Sequence, residues 1–372
     1  MMEYRIYKKI VMRGVLNVSF VLLTTGIGSV VYCQPIDKSN NIEMIHQKFV
    51  FVDMHAHPDR FHRANVDRIS QEELHRYRRG LMDVVVCCVS TDAAYQGGYI
   101  KRDGTRIERL PPGKDYTLQP GEAFAFTVDR LSRIYKTIEE GDAVLASSPS
   151  VVLEAKEQGQ IGLIPALEGA DGLEGKVENL HKLHRKGLRL LQLVHFRANE
   201  LGYVQTRPYK AGGLTEFGKE VIKACNRQGI VVDLAHAHKQ TTLDALKISK
   251  HPMIFSHTGV RALHEGDRTL SDEEIRAIAE KGGIIGIWPS SSFPTMKDMV
   301  RHIDYVRKLV GIDHVGIGSD LRGMRYTPEF GEEANFRAIA EALLEYGFTE
   351  EEAGKVMGGN FFRLWEEVSA QR

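Results

Sequence analysis

The chain has 372 residues, which is enough for one large α/β domain or two smaller ones. Lysine and arginine together number 49, as do aspartate and glutamate, so the formal net charge is zero. This balance argues against nucleic acid or an anionic membrane surface as the main partner. Hydrophobic residues make up 42% and charged residues 26% of the chain, a composition typical of a globular protein.

The first 34 residues have the pattern of a secretory signal peptide. A basic segment precedes an uncharged run from Gly14 to Val31, and small residues with Cys33 follow. A membrane anchor is the alternative, but the run is short for a span and contains polar residues and glycines. We therefore predict export, to a bacterial periplasm, with residues 35–372 forming one domain and no membrane span in the mature protein.

The four cysteines do not form the pattern of a disulfide framework. Cys33 lies at the end of the predicted signal, where lipid attachment is a further alternative, although the bulky Tyr32 before it fits that poorly. Cys87 and Cys88 are adjacent on an apolar run, and Cys225 sits in a helical pattern. We interpret these last three as buried thiols.

Short apolar runs alternate with amphipathic helical patterns along the rest of the chain. Most of these runs are continuously apolar, as expected for parallel strands that are covered on both faces. The predicted strands are Phe49–Asp53, Met82–Val89, Ile161–Leu167, Leu188–Val194, Ile230–Leu234, Met253–Phe255, Ile284–Trp288 and His314–Gly318.

Helical patterns lie between these strands, and two of them begin with a capping-box pattern, at Ser70 with Glu73 and at Ser271 with Glu274. The predicted helices are Ser70–Arg79, Ala123–Glu140, Val177–Lys186, Thr215–Arg227, Gln240–Ser249, Ser271–Glu280, Lys297–Leu309, Asn335–Glu345 and Glu350–Val368.

The alternation predicts an α/β fold, a (β/α)8 TIM barrel with its site at the C-terminal ends of the strands. An open doubly wound sheet is the alternative, but no G-x-G-x-x-G follows the first strand, so dinucleotide binding lacks its fingerprint. Residues 91–120 are rich in Gly, Tyr and Pro and have no clear period. We predict that they form a long loop over the site.

Ionisable residues recur at the C-terminal ends of the predicted strands. Scattered surface residues would not fall so regularly at the level where barrels place their chemistry. His55 and His57 also lie on the same side of a strand, about 7 Å apart along the chain. The residues at the strand ends are His55, His57, Glu168, His195, His236, His257 and Asp320.

This set of histidines and carboxylates, without clustered thiolates, favours zinc or a similar divalent ion. The number of ligands is enough for two ions that share a bridging carboxylate. Two such ions can hold a hydroxide at neutral pH and polarise a neighbouring carbonyl. The chemistry that this predicts is hydrolysis of an amide or an ester.

The order of the strand-end motifs resembles that of the membrane (renal) dipeptidase family of zinc peptidases, in the amidohydrolase superfamily. The resemblance runs from about Phe49 to the C-terminus. The motifs that carry it are Val52-Asp53-Met54-His55-Ala56-His57, Ala166-Leu167-Glu168-Gly169, Leu191-Gln192-Leu193-Val194-His195, Val232-Asp233-Leu234-Ala235-His236, Ile254-Phe255-Ser256-His257 and Gly316-Ile317-Gly318-Ser319-Asp320.

The resemblance implies a role for each site residue. Three metal roles follow from it: His55 and His57 bind one zinc, His236 and His257 bind the other, and Glu168 bridges the two ions. His195 would stabilise the oxyanion that develops on the substrate carbonyl, and Asp320 would exchange protons with the hydroxide and the leaving amine. Arg268 would bind the C-terminal carboxylate of the substrate.

Two positions depart from the family pattern. The family usually has H-x-D where this chain has His55-Ala56-His57, so a neutral ligand replaces an anion and the site is one unit more positive. The family tends to carry an aspartate at the position of Arg322. This cation either favours acidic substrates at the mouth of the pocket or pairs with a loop carboxylate.

Each of these residues also has a structural interpretation. Considered alone, His195 would be interpreted as a core histidine and Glu168 as a helix cap. Because ionisable residues also occupy the other strand ends, we interpret both as site residues. Asp53 is predicted to support a ligand rather than bind metal. We predict that His238 begins a helix and faces outward. We also predict that His181 and His184 lie on a solvated helix surface.

The predicted function is an exported zinc-dependent dipeptidase with two ions per subunit, acting on short peptides, including those with a D-residue. The alternatives are a related amidohydrolase of N-acyl amino acids, esters or lactones, and a catalytically silent barrel that serves as a binding protein. The resemblance also implies a homodimer.

Overall fold

The computed structural model of the protein describes residues 20–24, 29–33, 38–62, 66–99, 105–111, 114–206, 212–323, 328–330 and 335–370. It divides into an N-terminal unit that ends at Asn41 and a second unit, residues 42–372. In the N-terminal unit, strands β1 (Phe20–Thr24) and β2 (Ser29–Cys33) pair antiparallel. Most of the predicted signal, residues 1–34, lies outside the described residues, and the signal stays a prediction.

The second unit is built on a parallel sheet whose strands are buried along nearly their whole length. Its strands are β3 (Val52–Ala56), β4 (Val84–Ser90), β5 (Ala143–Leu145), β6 (Ile161–Glu168), β7 (Leu190–Gln192), β8 (Val231–Asp233), β9 (Ile254–Val260), β10 (Thr269–Leu270), β11 (Ile284–Ile287) and β12 (Val315–Ile317).

Eight of these strands form a continuous path in the order β3-β4-β6-β7-β8-β9-β11-β12. Ala56 at the end of β3 forms a parallel bridge with Leu321, just past β12. The Asp320 amide donates to the His55 carbonyl at 2.8 Å, and the His57 amide donates to the Leu321 carbonyl at 2.9 Å. These bonds join the two edge strands of the path, so the sheet closes into a (β/α)8 barrel, as predicted.

All eight predicted strands are present, with bounds shifted by a few residues. The strand predicted at Phe49–Asp53 runs from Val52 to Ala56, so His55 lies inside it rather than beyond its end. Strands β5 and β10, which have three and two residues, were not predicted. Strand β5 pairs with the first half of β6, whose second half pairs with β7.

Helices fill the connections between the strands. Eight of the nine predicted helices are present, and the ninth, Glu350–Val368, is divided into two helices, Glu350–Gly354 and Asn360–Ser369, by a π-helical segment at Lys355–Gly359. The helices are α1 (Lys38–Lys48), α2 (Gln71–Arg79), α3 (Ala93–Gln96), α4 (Glu122–Ile138), α5 (Pro149–Glu157), α6 (Val177–Arg185), α7 (Glu216–Gln228), α8 (Lys239–Ile248), α9 (Asp272–Glu280), α10 (Met296–Val310), α11 (Phe336–Tyr346), α12 (Glu350–Gly354) and α13 (Asn360–Ser369). None of the helices in the described part of the chain is long and apolar enough to cross a membrane.

The predicted capping boxes differ in outcome. At the start of α9, Ser271 and Glu274 form both reciprocal bonds of the box. At the start of α2, the Ser70 side chain accepts from the Glu73 amide, but the Glu73 carboxylate is engaged elsewhere, with Arg76 and Arg322. Helix α2 therefore has half of the predicted box, because a tertiary ion pair competes for the same carboxylate.

The core has two main layers. The larger layer lies between the barrel and the helices around it. The other joins strand residues such as Val52 and Val84 to Phe361 and Trp365 of α13. The Asn360 side-chain amide donates to the carbonyl of Val315, the first residue of β12. Helix α13 thus covers the N-terminal ends of the strands and leaves the C-terminal ends for the site.

Candidate metal centre

The barrel brings all seven strand-end residues into one buried cluster. His55, Glu168 and His257 lie within β3, β6 and β9, and the other four follow the ends of their strands. Each of the seven residues is at most 8% exposed. Because parallel strands all end at the same edge of the barrel, residues far apart in sequence meet there. The predicted members are His55, His57, Glu168, His195, His236, His257 and Asp320.

Glu168 lies at the centre of this cluster. Its Oε1 is 3.2 Å from Nε2 of His55 and 3.5 Å from Nε2 of His236. Its Oε2 is 3.4 Å from Nε2 of His57. His257 is more distant, with Nε2 4.0 Å from Oε1. The two oxygens of one carboxylate therefore face different histidines, which is the arrangement that a bridging ligand requires.

The cluster contains two overlapping groups of potential ligands. In each group, the nitrogen and oxygen atoms lie within 4.8 Å of one another. One group consists of His55, His57, Glu168 and Asp320, and the other of Glu168, His236 and His257. Glu168 belongs to both. A third group joins Asp233 to His55 and His257.

Three of the histidines are oriented by their Nδ1 atoms. His57 Nδ1 donates to the Cys88 carbonyl at 2.9 Å, and His257 Nδ1 lies 2.8 Å from the Ser256 hydroxyl. His55 Nδ1 lies 3.3 Å from the Cys88 sulfur. In His57 this donation leaves the Nε2 lone pair facing the carboxylates, as in metal sites where a second contact fixes the tautomer.

The residues present fit a metal ion. Nε2 of His55 is buried and has no hydrogen-bond partner, a costly state for a polar atom unless a ligand binds there. Imidazole nitrogens with carboxylate oxygens are donors that zinc accepts. The groups that could hold ions contain the five predicted ligands, His55, His57, Glu168, His236 and His257, together with Asp233 and Asp320. Which of them bind metal stays a prediction.

The electrostatics of the cluster also suit a cation. Burial raises the pKa of Glu168, but His195, His57 and His55 outweigh it and hold that pKa well below its usual range. Burial and Arg268 hold the pKa of His236 well below its usual range. Burial lowers the pKa of His57, but Glu168 and Asp320 raise it to about 10. A bound ion would displace the proton on His57.

Asp53 supports the site from beneath, as predicted. Its Oδ1 accepts from the amides of His55 at 3.2 Å and of Ser319 at 2.9 Å. Asp233 has a similar position and accepts from the Ala235 and Ser256 amides, both at 2.9 Å. These bonds fix the backbone of the strand ends that carry the ligands.

The backbone at the site is strained at two non-glycine residues. His236 has φ of 67° and Asp320 has φ of 53°, in the left-handed region that L-residues rarely occupy. Such conformations persist where surrounding contacts hold them and occur often at functional sites. Gly323 lies against both Asp320 and His57, so that a Cβ at this position would stand 2.7 Å from His57 Cδ2.

Strand β4 contributes two residues that the sequence analysis missed. Asp92 accepts a hydrogen bond from Nδ1 of His195 at 2.8 Å and another from the Phe196 amide at 3.2 Å. The Ser90 hydroxyl donates to Oε2 of Glu168 at 2.6 Å. The sequence contained a signal for Asp92, since this residue follows the end of its strand just as the other site residues do. It was missed because residues 91–120 were assigned to a loop.

The cluster forms the floor of a cavity of about 570 Å³. This volume is in the range of small-molecule sites. The predicted loop after β4 lines part of the wall, with short helix α3 at its start. The lining also includes the half-buried Trp288, at the end of the predicted strand Ile284–Trp288, and the exposed Phe196.

Arg268 lines the same cavity, as predicted for a residue that contacts substrate. Its guanidinium lies over the Trp288 ring at 5.0 Å, and Nη1 is 2.7 Å from Nε2 of His236. Burial lowers the pKa of Arg268 to about 10, against the attraction of Asp320 and Glu168. The side chain remains a cation at neutral pH.

Arg322 does not line this cavity. Its Nη2 lies 3.0 Å from Oε2 of Glu73, whose side chain is fully buried in α2. Two interpretations of Arg322 were open: a preference for acidic substrates, or an ion pair with a loop carboxylate. The structure shows an ion pair, and its carboxylate belongs to a helix rather than to a loop. The position of Arg322 therefore gives no reason to expect acidic substrates.

The residues that were predicted to lie outside the site do so. His238 is half-buried at the start of α8, where its Nδ1 accepts from the Gln240 amide. His181 and His184 lie on α6, where both are half-buried rather than on the solvated surface that was predicted. They belong to none of the potential ligand groups among the described residues. Cys87, Cys88 and Cys225 are buried free thiols.

A parallel barrel with buried histidines and carboxylates at the C-terminal ends of its strands is typical of metal-dependent hydrolases. The model of the membrane dipeptidase family, peptidase family M19, matches residues 39–372, and the chain belongs to this family.

Known proteins similar to the chain agree with this assignment. Dipeptidase tcpJ from Claviceps purpurea (strain 20.1) is 29% identical over 252 residues, which cover 65% of this chain and 59% of that protein. The chain thus spans less than two thirds of this relative's length.

Solved structures show the same fold. The probable dipeptidase PvdM from Pseudomonas aeruginosa is 19% identical, with a TM-score of 0.75 over 91% of this chain and 100% of that one. A metallopeptidase from Rhodobacter sphaeroides, solved with a phosphinate mimic of the dipeptide L-Ala-D-Ala, is 21% identical. It has a TM-score of 0.72 over 86% of this chain and 99% of that one.

Proposed function

We propose that the protein is an exported zinc-dependent dipeptidase that hydrolyses the peptide bond of dipeptides. The observation that carries the proposal is the position of Glu168 between two groups of potential ligands. A shared carboxylate with histidines on both sides suits two ions per subunit, and the donor types favour zinc. When bound, such ions supply a water that is nucleophilic at neutral pH and polarise the scissile carbonyl.

The protein's own groups would act around that carbonyl. His195 is held through Nδ1 by Asp92, so its Nε2 faces the cavity side of Glu168 at 3.2 Å from Oε1. Burial lowers the pKa of His195, but Asp92 and Glu168 outweigh it and raise that pKa above its usual value. With Nδ1 bonded to Asp92, the protonated ring keeps an Nε2–H that can stabilise negative charge on the carbonyl oxygen. Asp320 lines the cavity, with Oδ1 3.4 Å from Nε2 of His57, and would carry a proton from the attacking water to the leaving amine.

Arg268 would bind the C-terminal carboxylate of the dipeptide. Nη1 of Arg268 lies 3.0 Å from Nδ1 and 2.7 Å from Nε2 of His236, and the side chain lines the cavity beside Trp288. A guanidinium in this position can donate to a substrate carboxylate in bidentate form. A charged anchor of this kind favours short peptides over internal peptide bonds.

Export is proposed from the signal-like pattern of residues 1–34. N-terminal sequencing of the mature protein tests it. A mature chain that begins near Cys33 supports cleavage, and one that begins at Met1 excludes it.

The activity is tested with a panel of dipeptides that includes L-Ala-L-Ala and L-Ala-D-Ala, before and after chelation and after zinc is added back. We expect hydrolysis that chelation abolishes and zinc restores, with metal content measured in parallel. Hydrolysis of N-acyl amino acids, esters or lactones but of no dipeptide would favour the related amidohydrolase. Binding without turnover of any of these compounds would favour a catalytically silent barrel.

A further inference from the structure

We propose that Arg106 and Arg109 form a subsite at the mouth of the cavity that binds a second carboxylate of the substrate. This inference rests on the proposed dipeptidase function and narrows its substrate class. A dipeptide with a neutral side chain has one carboxylate, at its C-terminus. A second carboxylate is present only when one of its residues is aspartate or glutamate, so the subsite selects acidic dipeptides.

Both arginines lie on the segment that follows β4 and α3. They line the same cavity as His195, Glu168 and Asp320, and both are exposed. The cavity thus has a floor of potential metal ligands and a mouth that carries two guanidinium groups.

The backbone holds this segment over the cavity. The Gly98 amide donates to the Ile107 carbonyl at 2.9 Å, and the Ile107 amide donates to the Tyr99 carbonyl at 2.8 Å. The Leu110 amide donates to the Gln96 carbonyl at 3.1 Å. Residues 106–109 are therefore tied to residues 96–99, which begin at the end of α3.

The stem of Arg109 lies beside Gly98. Gly98 has a φ of 78°, in the left-handed region, and a Cβ at this position would stand 3.4 Å from the Arg109 Cβ and 3.7 Å from the Cγ, at ordinary van der Waals distances. This contact adds to the hydrogen bonds that tie residues 106–109 to residues 96–99.

The carboxylates that line the cavity are already engaged deeper in the site. Asp92 binds His195 and the Gln96 side chain, Glu168 binds the histidines and Ser90, and Asp320 contacts His57. Among the residues that the structure describes, no carboxylate lies within 4.0 Å of a side-chain nitrogen of Arg106 or Arg109. Both guanidinium groups are therefore available to a substrate carboxylate. A guanidinium suits this role because it can donate to both carboxylate oxygens at once.

The test compares pairs of dipeptides that differ only in the charge of one side chain: Ala-Asp with Ala-Asn, and Asp-Ala with Asn-Ala. We expect at least one acidic member to have a kcat/KM about tenfold above that of its amide, as two partly exposed ion pairs would give. In the double variant Arg106→Gln/Arg109→Gln, the ratio of acid to amide should fall toward one. Added salt should lower the same ratio in the unmodified protein.

A matched control removes two exposed arginines that do not line the cavity. Arg227→Gln/Arg276→Gln changes the net charge by the same amount, and both positions are exposed on the outer helices α7 and α9. The ratio of acid to amide should stay at the value of the unmodified protein. Equal kcat/KM within both pairs, or a ratio that the double variant leaves unchanged, would overturn the subsite while leaving the dipeptidase function intact.

Failure of the proposed function gives a different result. If no dipeptide in the panel is cleaved, the dipeptidase proposal is wrong, and calorimetric binding of Ala-Asp and Ala-Asn then tests the subsite alone. Tighter binding of Ala-Asp that is lost in Arg106→Gln/Arg109→Gln supports it. Equal binding of the two peptides overturns it.

Discussion

Nδ1 of His195 lies 2.8 Å from Oδ1 of Asp92, and both side chains are buried. The carboxylate accepts from Nδ1 and fixes the orientation of the ring, so that Nε2 faces Glu168 and the cavity. The other oxygen of Asp92 accepts from the Phe196 amide and from the Gln96 side chain. Asp92 thus positions His195 without contacting any of the proposed metal ligands.

Asp92→Asn is expected to lower kcat by about 10- to 100-fold, as loss of such supporting contacts typically does. The amide removes the negative charge that favours the protonated ring, whose Nε2–H is the proposed oxyanion donor. Steady-state kinetics with elemental analysis check this. Metal content should be unchanged, and Gln96→Met, which removes only a partner of Asp92, should have a smaller effect. Loss of bound metal in Asp92→Asn would contradict a positioning role.

Chelation is expected to remove both the activity and part of the stability. The proposed ligands are buried, and His55 Nε2 has no hydrogen-bond partner without an ion. A ligand present at 100 to 1,000 times its Kd stabilises a fold by about 3–4 kcal/mol. Thermal unfolding with chelator and with added zinc measures this. An unchanged melting temperature, together with no bound metal on elemental analysis, would contradict the metal centre.

His57→Asp is expected to retain activity within about tenfold, because aspartate is also a zinc ligand. The aspartate restores the H-x-D pattern of the family. It also lowers the positive charge of the site, in which Glu168 and Asp320 contact position 57. His57→Leu is the matched comparison and should lower metal affinity by about 10- to 100-fold. Metal titrations of the two variants separate these outcomes. Equal affinity in both would mean that position 57 is not a ligand.

Asp320→Asn is expected to bind metal but to lose about 10²- to 10⁴-fold in kcat, the range of general acid–base catalysis. Asparagine tolerates the left-handed backbone better than most residues, so the φ of 53° at this position can persist. The variant should therefore fold and melt like the unmodified protein. Normal turnover in Asp320→Asn would remove this residue from the proton transfer.

Gly323→Ala is expected to reduce activity through local crowding. The added methyl group would meet the Asp320 carboxylate and stand 2.7 Å from His57 Cδ2, so that one of them must move. Overpacking of this kind typically costs about 1–3 kcal/mol. Gly311→Ala is the control, because it adds a methyl group where no other atom lies within 4 Å. Gly311 has a positive φ, so this variant shows the effect of a strained backbone without crowding at the site. A loss of activity no larger than in this control would contradict the close approach.

The sequence alone predicted the barrel because each of its strands is a continuous apolar run that ends in polar residues. The run around Val84 is buried on both faces, and such runs are recognisable without tertiary information. The same reasoning located residues of the buried cluster, since His195 and His236 each follow an apolar run directly. The short strands β5 and β10 were missed, because two or three residues carry too little periodicity.

Only the tertiary structure decided which partners these side chains have. Asp92 and His195 are 103 residues apart in sequence, and Arg322 and Glu73 are 249 apart, so no local pattern indicates either pair. The closure of the barrel brings each pair together. Sequence position thus determined which residues reach the site, because parallel strands share one edge. Only the three-dimensional arrangement of the loops and helices around that edge shows that Arg322 pairs with Glu73 of α2 and that Arg106 and Arg109 line the cavity.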